Sequence, residues 1–428
     1  MSFQRRPVIQ LQVKTILNRV QHYPGFVYQQ VRLQAESIEI QIEARAGRRG
    51  SCSRCRQSAP GYDRLRERSW EFVPLWNIPT HLVYAPRRVQ CAAHGVVVEE
   101  LPWSAGKRTL SYAMMIFLGV WARRLSWRET ARVFRVSWEA VYRSVEWMVE
   151  WGLAHRDLQG VRAIGVDEIH WGRGLKADNF LTVLYQIDAG CRRLLWVGKR
   201  RTQATLKRGL KSLGPDVLQQ IQFVCSDMWK PYLAVIAARL GHALQVLDRF
   251  HITAHLNQAV DEVRRGESAR LKAKSKEAGQ RLKHLRWSLL KKRSRVRGKA
   301  RQKLQALLAS KLATGRAWEL KEGFAAFWKY KSVTWAAEFL DYWCFRALRS
   351  RLEPMKKVAR MLRAHEPLLL NWFRAKGEVS SGAVEGLNNK IRVVTRRSYG
   401  FRTYQAMELA LYHNIGRLPE PPCTHRFC

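Results

Sequence analysis

Three acidic residues in this sequence are placed where they could do chemistry together. Asp167 lies in the apolar segment IGVDE, Asp227 ends the apolar segment FVCSD, and Glu385 lies in the first turns of a helix predicted to begin near Gly382. Burying a carboxylate is unfavourable by several kcal/mol unless a partner or a metal ion neutralises it. Carboxylates bind Mg²⁺ or Mn²⁺, which can stabilise the attacking and leaving oxygens of a phosphodiester displacement. We therefore predict a catalytic metal site formed by these three residues.

The predicted helix that carries Glu385 offers further polar side chains to such a site. Asn388 and Asn389 follow Glu385 by three and four positions, so they are expected on the same helical face. Lys390 and Arg392 could bind phosphate groups nearby.

Each acid also has an ordinary structural interpretation. Asp167 could be a turn residue, Asp227 a helix N-cap, and Glu385 a first-turn acid that favours the helix dipole. Taken singly, these interpretations are the simpler ones. Their combined order, two strand ends and then a helix in a strongly basic chain, favours the catalytic interpretation.

The spacing of hydrophobic residues changes after about residue 160, and the new pattern predicts the strands and helices that position the two aspartates. Residues 161–263 contain five apolar strand segments and two helical segments, in the order β-β-β-α-β-α-β. This order predicts an α/β core with mixed strand pairing. A right-handed crossover allows the first and fourth strands to lie side by side, which would bring Asp167 next to Asp227. Asp248 follows the fifth strand and is the main rival to Asp227 as the second metal ligand.

A second group of residues has the spacing of a zinc site. Cys52-x-x-Cys55 and Cys91-x-x-His94 are two close pairs, each able to reach one ion from a tight turn. Together they supply the four ligands that tetrahedral zinc requires. The alternative is four unrelated residues, since a single Cys-x-x-Cys pair would be weak support.

Residues 126–149 predict a helix-turn-helix. Ser126 can cap a helix from Trp127 to about Phe134, and Ser137 can cap a second helix after a short turn. The second helix could enter a major groove with Trp138, Glu139 and Arg143 facing outward. A helical hairpin used only for packing or dimerisation is the alternative.

The charge of the chain favours a polyanionic partner. The 428 residues carry a formal net charge of +42, and residues 263–304 hold many lysines and arginines, Lys291, Lys292 and Arg293 among them, against two acids. Leucines give this stretch an apolar face, so it predicts a basic amphipathic helix that binds a phosphate backbone, the alternative being a solvated helix face. The aromatic residues of the helical segment that follows are predicted to form a core; they are Trp318, Phe327, Trp328, Trp335, Trp343 and Phe345.

Composition also excludes several classes of protein. The charge argues against an enzyme of small metabolites, and no apolar run is long enough to cross a bilayer. The first residues lack the apolar core of a signal peptide, so the chain is expected to be cytoplasmic and associated with the nucleoid.

Several of these segments together resemble the DDE transposases of bacterial insertion sequences, specifically the ISL-three family. They are the Cys52, Cys55, Cys91 and His94 set, the helix-turn-helix, AIGVDE, VCSDMWKPY, VLDRFHITAHLNQAVDEVRR and SSGAVEGLNNKIRVVTRRSYGFR, of which the last two are the most specific. Two positions depart from the family pattern: His94 replaces a cysteine of the finger, and Ser381 replaces the asparagine that commonly precedes the glycine of the glutamate motif.

The resemblance implies a multidomain fold with a small zinc-binding domain, a helix-turn-helix, and an α/β ribonuclease-H-like catalytic core interrupted by an α-helical insertion. It places the catalytic triad on Asp167, Asp227 and Glu385, with Mg²⁺ or Mn²⁺ as cofactor and a structural Zn²⁺. It also implies that Asp248 and His251 support the active site. The expected divisions are residues 1–100 (β-rich and zinc-binding), 101–157 (helix-turn-helix), 158–263 and 371–428 (core), and 264–370 (insertion).

The activity implied is DNA transposition, with binding to terminal inverted repeats, strand cleavage and strand transfer. Double-stranded DNA is the expected partner, and pairing two ends requires at least a dimer. Two other functions remain open from the sequence: a DNA-binding transcriptional regulator with an inactive core, and a structure-specific nuclease of the same fold.

Overall fold

The computed structural model describes residues 12–171, 179–310, 312–378 and 381–422, and the chain forms two compact units. The first unit contains Met1–Asp157 and Arg392–Cys428, and the second contains Leu158–Ile391. Helix α16, Ser381–Arg397, contributes residues to both units. Ser381, one of the two residues that depart from the family pattern, begins this helix. Within the described residues, no helix is both long enough and apolar enough to cross a membrane.

The N-terminal part of the first unit is a four-stranded sheet with an aromatic core. Its strand order is β1-β2-β7-β6, and a helix that the sequence pattern did not indicate, α1, precedes β1. Trp103 is fully buried, and its ring lies 4.8 Å from that of Phe26 and 5.4 Å from that of Tyr84. The elements are α1 (Val13–Val20), β1 (Phe26–Leu33), β2 (Ile38–Ala44), β6 (Arg68–Leu75) and β7 (Ile78–Tyr84).

Two smaller sheets of this unit hold the cysteine pairs. One is the hairpin of β3 and β4, and the other has the order β5-β8-β9. Cys52 follows β3, and Cys91 is the last residue of β8. The strands are β3 (Gly50–Ser51), β4 (Ser58–Ala59), β5 (Gly61–Arg64), β8 (Arg87–Cys91) and β9 (Gly95–Val98).

The helical part of the first unit confirms the two caps expected from the sequence. Ser126 and Glu129 form a reciprocal capping box at the start of α3, and the Ser137 hydroxyl accepts a hydrogen bond from the backbone N–H of Ala140 in α4. Arg135, in the turn between them, has a φ of 55°. The helices are α2 (Tyr112–Ala122), α3 (Trp127–Val133), α4 (Trp138–His155) and α17 (Tyr404–Ile415).

A five-stranded mixed sheet forms the centre of the second unit. Its order is β12-β11-β10-β13-β14, in which β12, β11 and β10 are antiparallel while β10, β13 and β14 are parallel. The order of elements along the chain agrees with the sequence prediction, except that two helices, α5 and α6, stand between β12 and β13. The elements are β10 (Ala163–His170), β11 (Phe180–Ile187), β12 (Arg192–Lys199), α5 (Gln203–Leu213), α6 (Pro215–Gln220), β13 (Phe223–Ser226), α7 (Lys230–Arg239) and β14 (Leu244–Leu247).

The two faces of this sheet are covered differently. Leu206 and Leu210 of α5 and Val235 and Ile236 of α7 form an apolar core with the sheet. Val384 of α16 packs so closely over Gly165 of β10 that a Cβ there would lie 2.6 Å from Val384 Cγ2. A glycine at this position therefore lets α16 approach the strand that carries Asp167.

Helices make up the rest of the second unit. They are α8 (Arg249–Lys274), α9 (Lys276–His284), α10 (Arg286–Leu290), α11 (Gly298–Ala309), α12 (Ala313–Phe324), α13 (Val333–Arg349), α14 (Glu353–Ala364) and α15 (Glu366–Arg374), with 3-10 turns at Arg293–Arg295 and Phe327–Lys329. Residues 263–304 are mostly helical, as expected from the sequence, but no single helix runs through them. Ser275 has extended backbone and caps α9, and Gly298 has a φ of 54°, so the stretch is divided among the end of the long helix α8 and the shorter helices α9, α10 and α11.

The aromatic residues of this segment divide between core and surface. Trp318, Phe327 and Trp343 are buried, as expected, and Trp328 is partly buried. Trp335 and Phe345 are exposed, so for these two the prediction of a core position is wrong. They lie on α13 on the side opposite to its buried residues, which hydrophobicity alone could not distinguish.

Candidate active site and metal centre

The two aspartates lie on neighbouring parallel strands, as the sequence predicted. Ala163 pairs with Phe223 and Gly165 with Cys225, and the same register carried two residues further places Asp167 opposite Asp227. Both side chains are buried. Asp227 directly follows β13, whereas Asp167 does not end its strand, because antiparallel pairing with β11 extends β10 to His170.

Helix α16 contacts Asp167 through Asn388. The Asn388 side-chain amide donates to Asp167 Oδ2 at 2.6 Å, and the Tyr185 hydroxyl donates to Asn388 Oδ1 at 2.7 Å. Glu385 lies one helical turn before Asn388, and its side chain is exposed. Asn389, Lys390 and Arg392 are also exposed on this helix.

The environment of Asp167 disfavours the ionised form of its carboxyl group. Burial raises its pKa, and the hydrogen bonds from Asn388 and from the backbone N–H of Glu168 only partly oppose this effect. His251 Nε2 lies 3.9 Å from Asp167 Oδ1. A bound cation would favour the charged carboxylate here, because it supplies the opposite charge that stabilises the carboxylate in place of water.

Asp248 has a structural role in the observed fold. It follows β14, is buried, and its carboxylate accepts a hydrogen bond from the backbone N–H of Phe250 at the start of α8. The helix that it caps carries His251 towards Asp167. Asp227 makes a similar local bond, since its Oδ1 accepts from the backbone N–H of Trp229 at 3.0 Å, but the N-cap residue of α7 is Trp229.

The structure adds Glu168 and Arg201 to this cluster, and sequence reasoning missed both. One guanidinium nitrogen of Arg201, Nη2, lies 2.8 Å from Glu168 Oε1 and 3.3 Å from Asp227 Oδ2. The same guanidinium lies 4.2 Å from the ring centroid of Trp229. Glu168 directly follows Asp167 in the sequence, and this proximity could have indicated that it belongs to the cluster. Nothing near Arg201 distinguishes it from the other basic residues that follow β12.

Glu168 and Asp167 belong to opposite faces of the sheet, because side chains alternate along a strand. Burial raises the pKa of Glu168 to about 8, the charges of Asp227 and Asp167 add to this effect, and Arg201 opposes it. Arg201 thus contacts Glu168 and Asp227, whereas Asn388 contacts Asp167.

The predicted zinc ligands lie together in the first unit. The ligand atoms of Cys52, Cys55, Cys91 and His94 all lie within 4.8 Å of one another. Cys55 Sγ is 3.6 Å from Cys91 Sγ, and His94 Nδ1 is 3.6 Å from Cys91 Sγ and 3.8 Å from Cys52 Sγ. Two sulfur ligands at ~2.3 Å from a tetrahedral zinc ion are separated by about 3.8 Å, so the donor set and its spacing fit zinc.

The backbone around Cys52 favours the thiolate form of its side chain. A backbone hydrogen bond from Cys55, with a further one from Arg54 at 3.4 Å, lowers the pKa of Cys52 to about 6. A thiolate is the form that binds metal.

Comparison with known proteins identifies the family of this chain. Residues 164–411, which include all three candidate catalytic acids, match a family described as transposase, the ISL3 (ISL-three) family of DDE transposases. The chain belongs to this family. The resemblance drawn from the sequence is therefore confirmed.

Two curated relatives of this transposase-family chain cover most of its length. The transposase for insertion sequence element IS1557 of Mycobacterium tuberculosis is 28% identical over 399 residues, which is 87% of this chain and 88% of the relative. The transposase for insertion sequence element IS1001 of Bordetella parapertussis is 24% identical over 332 residues, which is 77% of this chain and 80% of the relative.

The predicted DNA-contacting residues of this transposase-family chain have different environments. On α4, Trp138 is exposed and stacks on Tyr142 at 5.3 Å, whereas Arg143 forms ion pairs with Glu139 at 2.8 Å and with Glu146 at 2.7 Å. The charge of Arg143 is therefore already balanced by two carboxylates.

Lys291, Lys292 and Arg293 lie exposed between α10 and α11. The Arg293 guanidinium lies 5.0 Å from the ring centroid of Trp318, and its backbone N–H donates to Glu322 Oε2 at 2.8 Å. The segment is thus fixed to the helical part of the second unit while its charges face solvent.

Proposed function

We propose that this chain is a DNA transposase that binds terminal inverted repeats, cleaves phosphodiester bonds with Mg²⁺ or Mn²⁺, and joins the freed 3′-hydroxyls to target DNA. The observation that carries the proposal is the placement of Asp167 and Asp227 on adjacent parallel strands, with α16 held over Asp167 by Asn388. The family match supplies the class of reaction.

The proposed metal ligands are Asp167, Asp227 and Glu385. When bound, the divalent metal stabilises the attacking and leaving oxygens of an in-line displacement. Asn388 and Tyr185 fix the orientation of the Asp167 carboxylate, and Arg201 fixes that of Asp227. Glu385 is exposed on α16, one helical turn before Asn388, which contacts Asp167.

The proposed fold class is ribonuclease-H-like. The support is the strand order β12-β11-β10-β13-β14, with three antiparallel strands followed by two parallel ones, and the helices α8–α15 inserted between Asp227 and Glu385. The domain divisions remain those proposed from the sequence. The compact units run differently, since Arg392–Cys428 groups with the N-terminal part of the chain.

DNA binding is proposed to have two components. The zinc unit and the helix-turn-helix would give sequence-specific contacts through residues such as Trp138 of α4. Lys291, Lys292, Arg293, Lys390 and Arg392 would neutralise phosphates without reading sequence. The four-ligand cluster would hold a structural Zn²⁺ that stabilises the first unit.

The experiment that tests this function uses labelled double-stranded DNA carrying the terminal repeat, incubated with purified protein and either Mg²⁺ or a chelator. Wild-type protein should give cleaved and joined strands only with Mg²⁺, and Asp167→Asn, Asp227→Asn and Glu385→Gln should each give neither. Asp216→Asn, an exposed acid of the same unit, is the matched control and should keep full activity.

The products separate the proposed function from its two rivals. Cleavage without joining would identify a nuclease, and tight binding without any product would identify a regulator. Cleavage retained by all three variants would show that the assigned triad is wrong.

A further inference from the structure

One side of helix α13 presents large apolar side chains to solvent. Trp335 is 62% exposed, Tyr342 is 60% exposed, and Phe345 is 49% exposed. From Trp335 the residues on this side follow at steps of three or four positions, through Glu338 and Tyr342 to Phe345, and from Tyr342 also to Arg346 and Arg349, which is the spacing of one stripe along a helix. We call this stripe the α13 seam; it consists of Trp335, Glu338, Tyr342, Phe345, Arg346 and Arg349.

The opposite side of α13 is anchored in the second unit. Ala336, Leu340, Trp343 and Ala347 are buried there, and the Trp343 indole N–H donates to the backbone carbonyl of Leu320 at 2.9 Å. The orientation of α13 is therefore fixed, and the seam cannot turn inwards. A stripe of exposed aromatic residues on a rigid helix is typical of a protein–protein contact.

The charges of α13 balance one another, unlike those of the chain as a whole. Its two acids, Glu338 and Asp341, lie in its N-terminal half and its two arginines, Arg346 and Arg349, lie in its C-terminal half. The helix is thus neutral in a chain of net charge +42. The seam itself carries one acid and two arginines, so its net charge is small. A phosphate backbone would select a more strongly positive face, whereas a nearly balanced face lowers the repulsion between two copies of this basic protein.

The order of these charges along α13 is complementary to the same order in a second, antiparallel copy of the helix. If two copies of α13 cross antiparallel about a two-fold axis at Tyr342, a residue four positions before Tyr342 faces one four positions after it. Glu338 then faces Arg346 of the second copy, and Trp335 faces Arg349 of the second copy. A two-fold contact of this kind uses the same patch on both molecules. The stripe from Trp335 to Arg349 corresponds to about 21 Å of helix.

The arginines are positioned for these contacts. The Arg349 guanidinium lies 3.5 Å from the ring centroid of Phe345, and the Arg346 guanidinium lies 5.8 Å from that of Tyr342. Each arginine lies against its own seam aromatic, so less side-chain freedom is lost when a second copy binds.

We propose that the α13 seam is the surface through which two copies of this chain associate, antiparallel about Tyr342. This inference rests on the proposed function in one respect, because joining two transposon ends requires two copies. The seam would then hold together the pair of active sites that acts on the two ends.

Charge reversal tests this pairing directly. Sedimentation of the full-length protein, without DNA and with terminal-repeat DNA, should show a dimer for wild type and at least a tenfold higher dissociation constant for Glu338→Arg and for Arg346→Glu. The double variant Glu338→Arg/Arg346→Glu should regain the wild-type value within about threefold. An equimolar mixture of the two single variants should also dimerise, because one chain then carries positive charges at both positions and the other carries negative charges at both.

Controls make the result specific. Glu277→Arg reverses an exposed acid of α9 outside the seam and should leave the dissociation constant unchanged. Tyr342→Ala should weaken the dimer while thermal unfolding stays the same.

Three outcomes would overturn the proposal. They are a monomer under both conditions, single reversals without effect, and single reversals that the double variant does not rescue. A DNA-binding seam would instead show tighter DNA binding by Glu338→Arg at unchanged mass. The dissociation constant of the dimer is measured without catalysis, and Asp167→Asn should not change it. Failure of the dimer proposal can therefore be distinguished from failure of the proposed function.

Discussion

Asp227 is the proposed metal ligand that an arginine side chain contacts. It follows β13 opposite Asp167, and Arg201 contacts it together with Glu168. Because it contacts Asp227, we expect Arg201 to act through that carboxylate as a positioning residue. Its guanidinium also repels any divalent cation nearby, so orientation of Asp227 and metal affinity should respond differently when it is replaced.

Replacing Arg201 should separate these two effects. We expect Arg201→Gln to lower kcat for strand cleavage by roughly 10–100-fold, the effect usual for residues that orient metal ligands. The Mg²⁺ concentration for half-maximal rate should not rise, because a positive charge has been removed. Arg201→Lys should recover part of kcat, and Arg208→Gln, an exposed arginine of α5, serves as control. Unchanged kcat in Arg201→Gln would contradict the positioning role.

His413 is a buried residue whose protonation opposes folding. Its side chain is buried in α17, burial lowers its pKa to about 3, and the charges of Arg123 and Arg397 contribute. The unfolded chain binds a proton at this residue near pH 6.5 while the folded chain does not, so stability falls as the pH drops below that value. The loss at pH 5 is on the order of 2 kcal/mol.

Thermal unfolding between pH 7 and pH 5 tests this dependence. Wild-type protein should lose stability over this range, and His413→Leu should lose clearly less. His284→Gln replaces an exposed histidine of the second unit and should behave like wild type. An equal loss in wild type and His413→Leu would mean that other groups determine the acid sensitivity.

At the scale of elements, the sequence predicted the features that depend on neighbouring residues. Features that depend on packing between distant segments could not be predicted from it. The caps at Ser126 and Ser137 and the pairing of the first and fourth core strands follow from short patterns and chain handedness. The position of Asp167 inside β10 depends on how far β11 pairs with it, and no local pattern encodes that length.

The same limit explains the misassigned residues. Trp335 and Phe345 are as hydrophobic as Trp343, and only the docking of α13 determines which of them faces solvent. Arg201 contacts Asp227 across 26 positions of sequence, so its role could not be distinguished from that of other arginines. Ser275 and Gly298 were usable signals that the basic stretch is several helices rather than one.

The zinc cluster gives a prediction at the level of the first unit. We expect one zinc ion per wild-type chain and none in Cys91→Ser, with loss of specific binding to terminal-repeat DNA, because small zinc-bound units fold with their metal. Cys191→Ser replaces a cysteine outside the cluster and should retain both zinc and binding. Metal content and DNA affinity are measured together, and zinc-free wild-type protein that binds normally would refute the structural role.

At the scale of the whole molecule, the charge of +42 implies that DNA binding releases many counterions. The exposed lysines and arginine between α10 and α11 should contribute, while Arg143, already paired with two glutamates, should contribute little.

The salt dependence of DNA affinity tests this division. Replacing Lys291, Lys292 and Arg293 together by alanine should reduce the slope of log affinity against log salt by roughly 2 to 3, at about 0.9 for each phosphate that is no longer neutralised. Arg143→Ala should leave the slope nearly unchanged. A larger change in slope for Arg143→Ala than for the triple variant would reverse the assignment of these surfaces.

The central claim, a divalent metal held by Asp167, Asp227 and Glu385 against the leaving oxygen, is tested most directly by replacing that oxygen. A terminal-repeat substrate with sulfur in place of the 3′-oxygen at the cleaved bond should react poorly in Mg²⁺ and regain activity in Mn²⁺, because the softer ion accepts a sulfur ligand. Asp227→Asn should abolish the recovery. Equal reactivity of the oxygen and sulfur substrates in both metals would contradict direct contact between the metal and the leaving group.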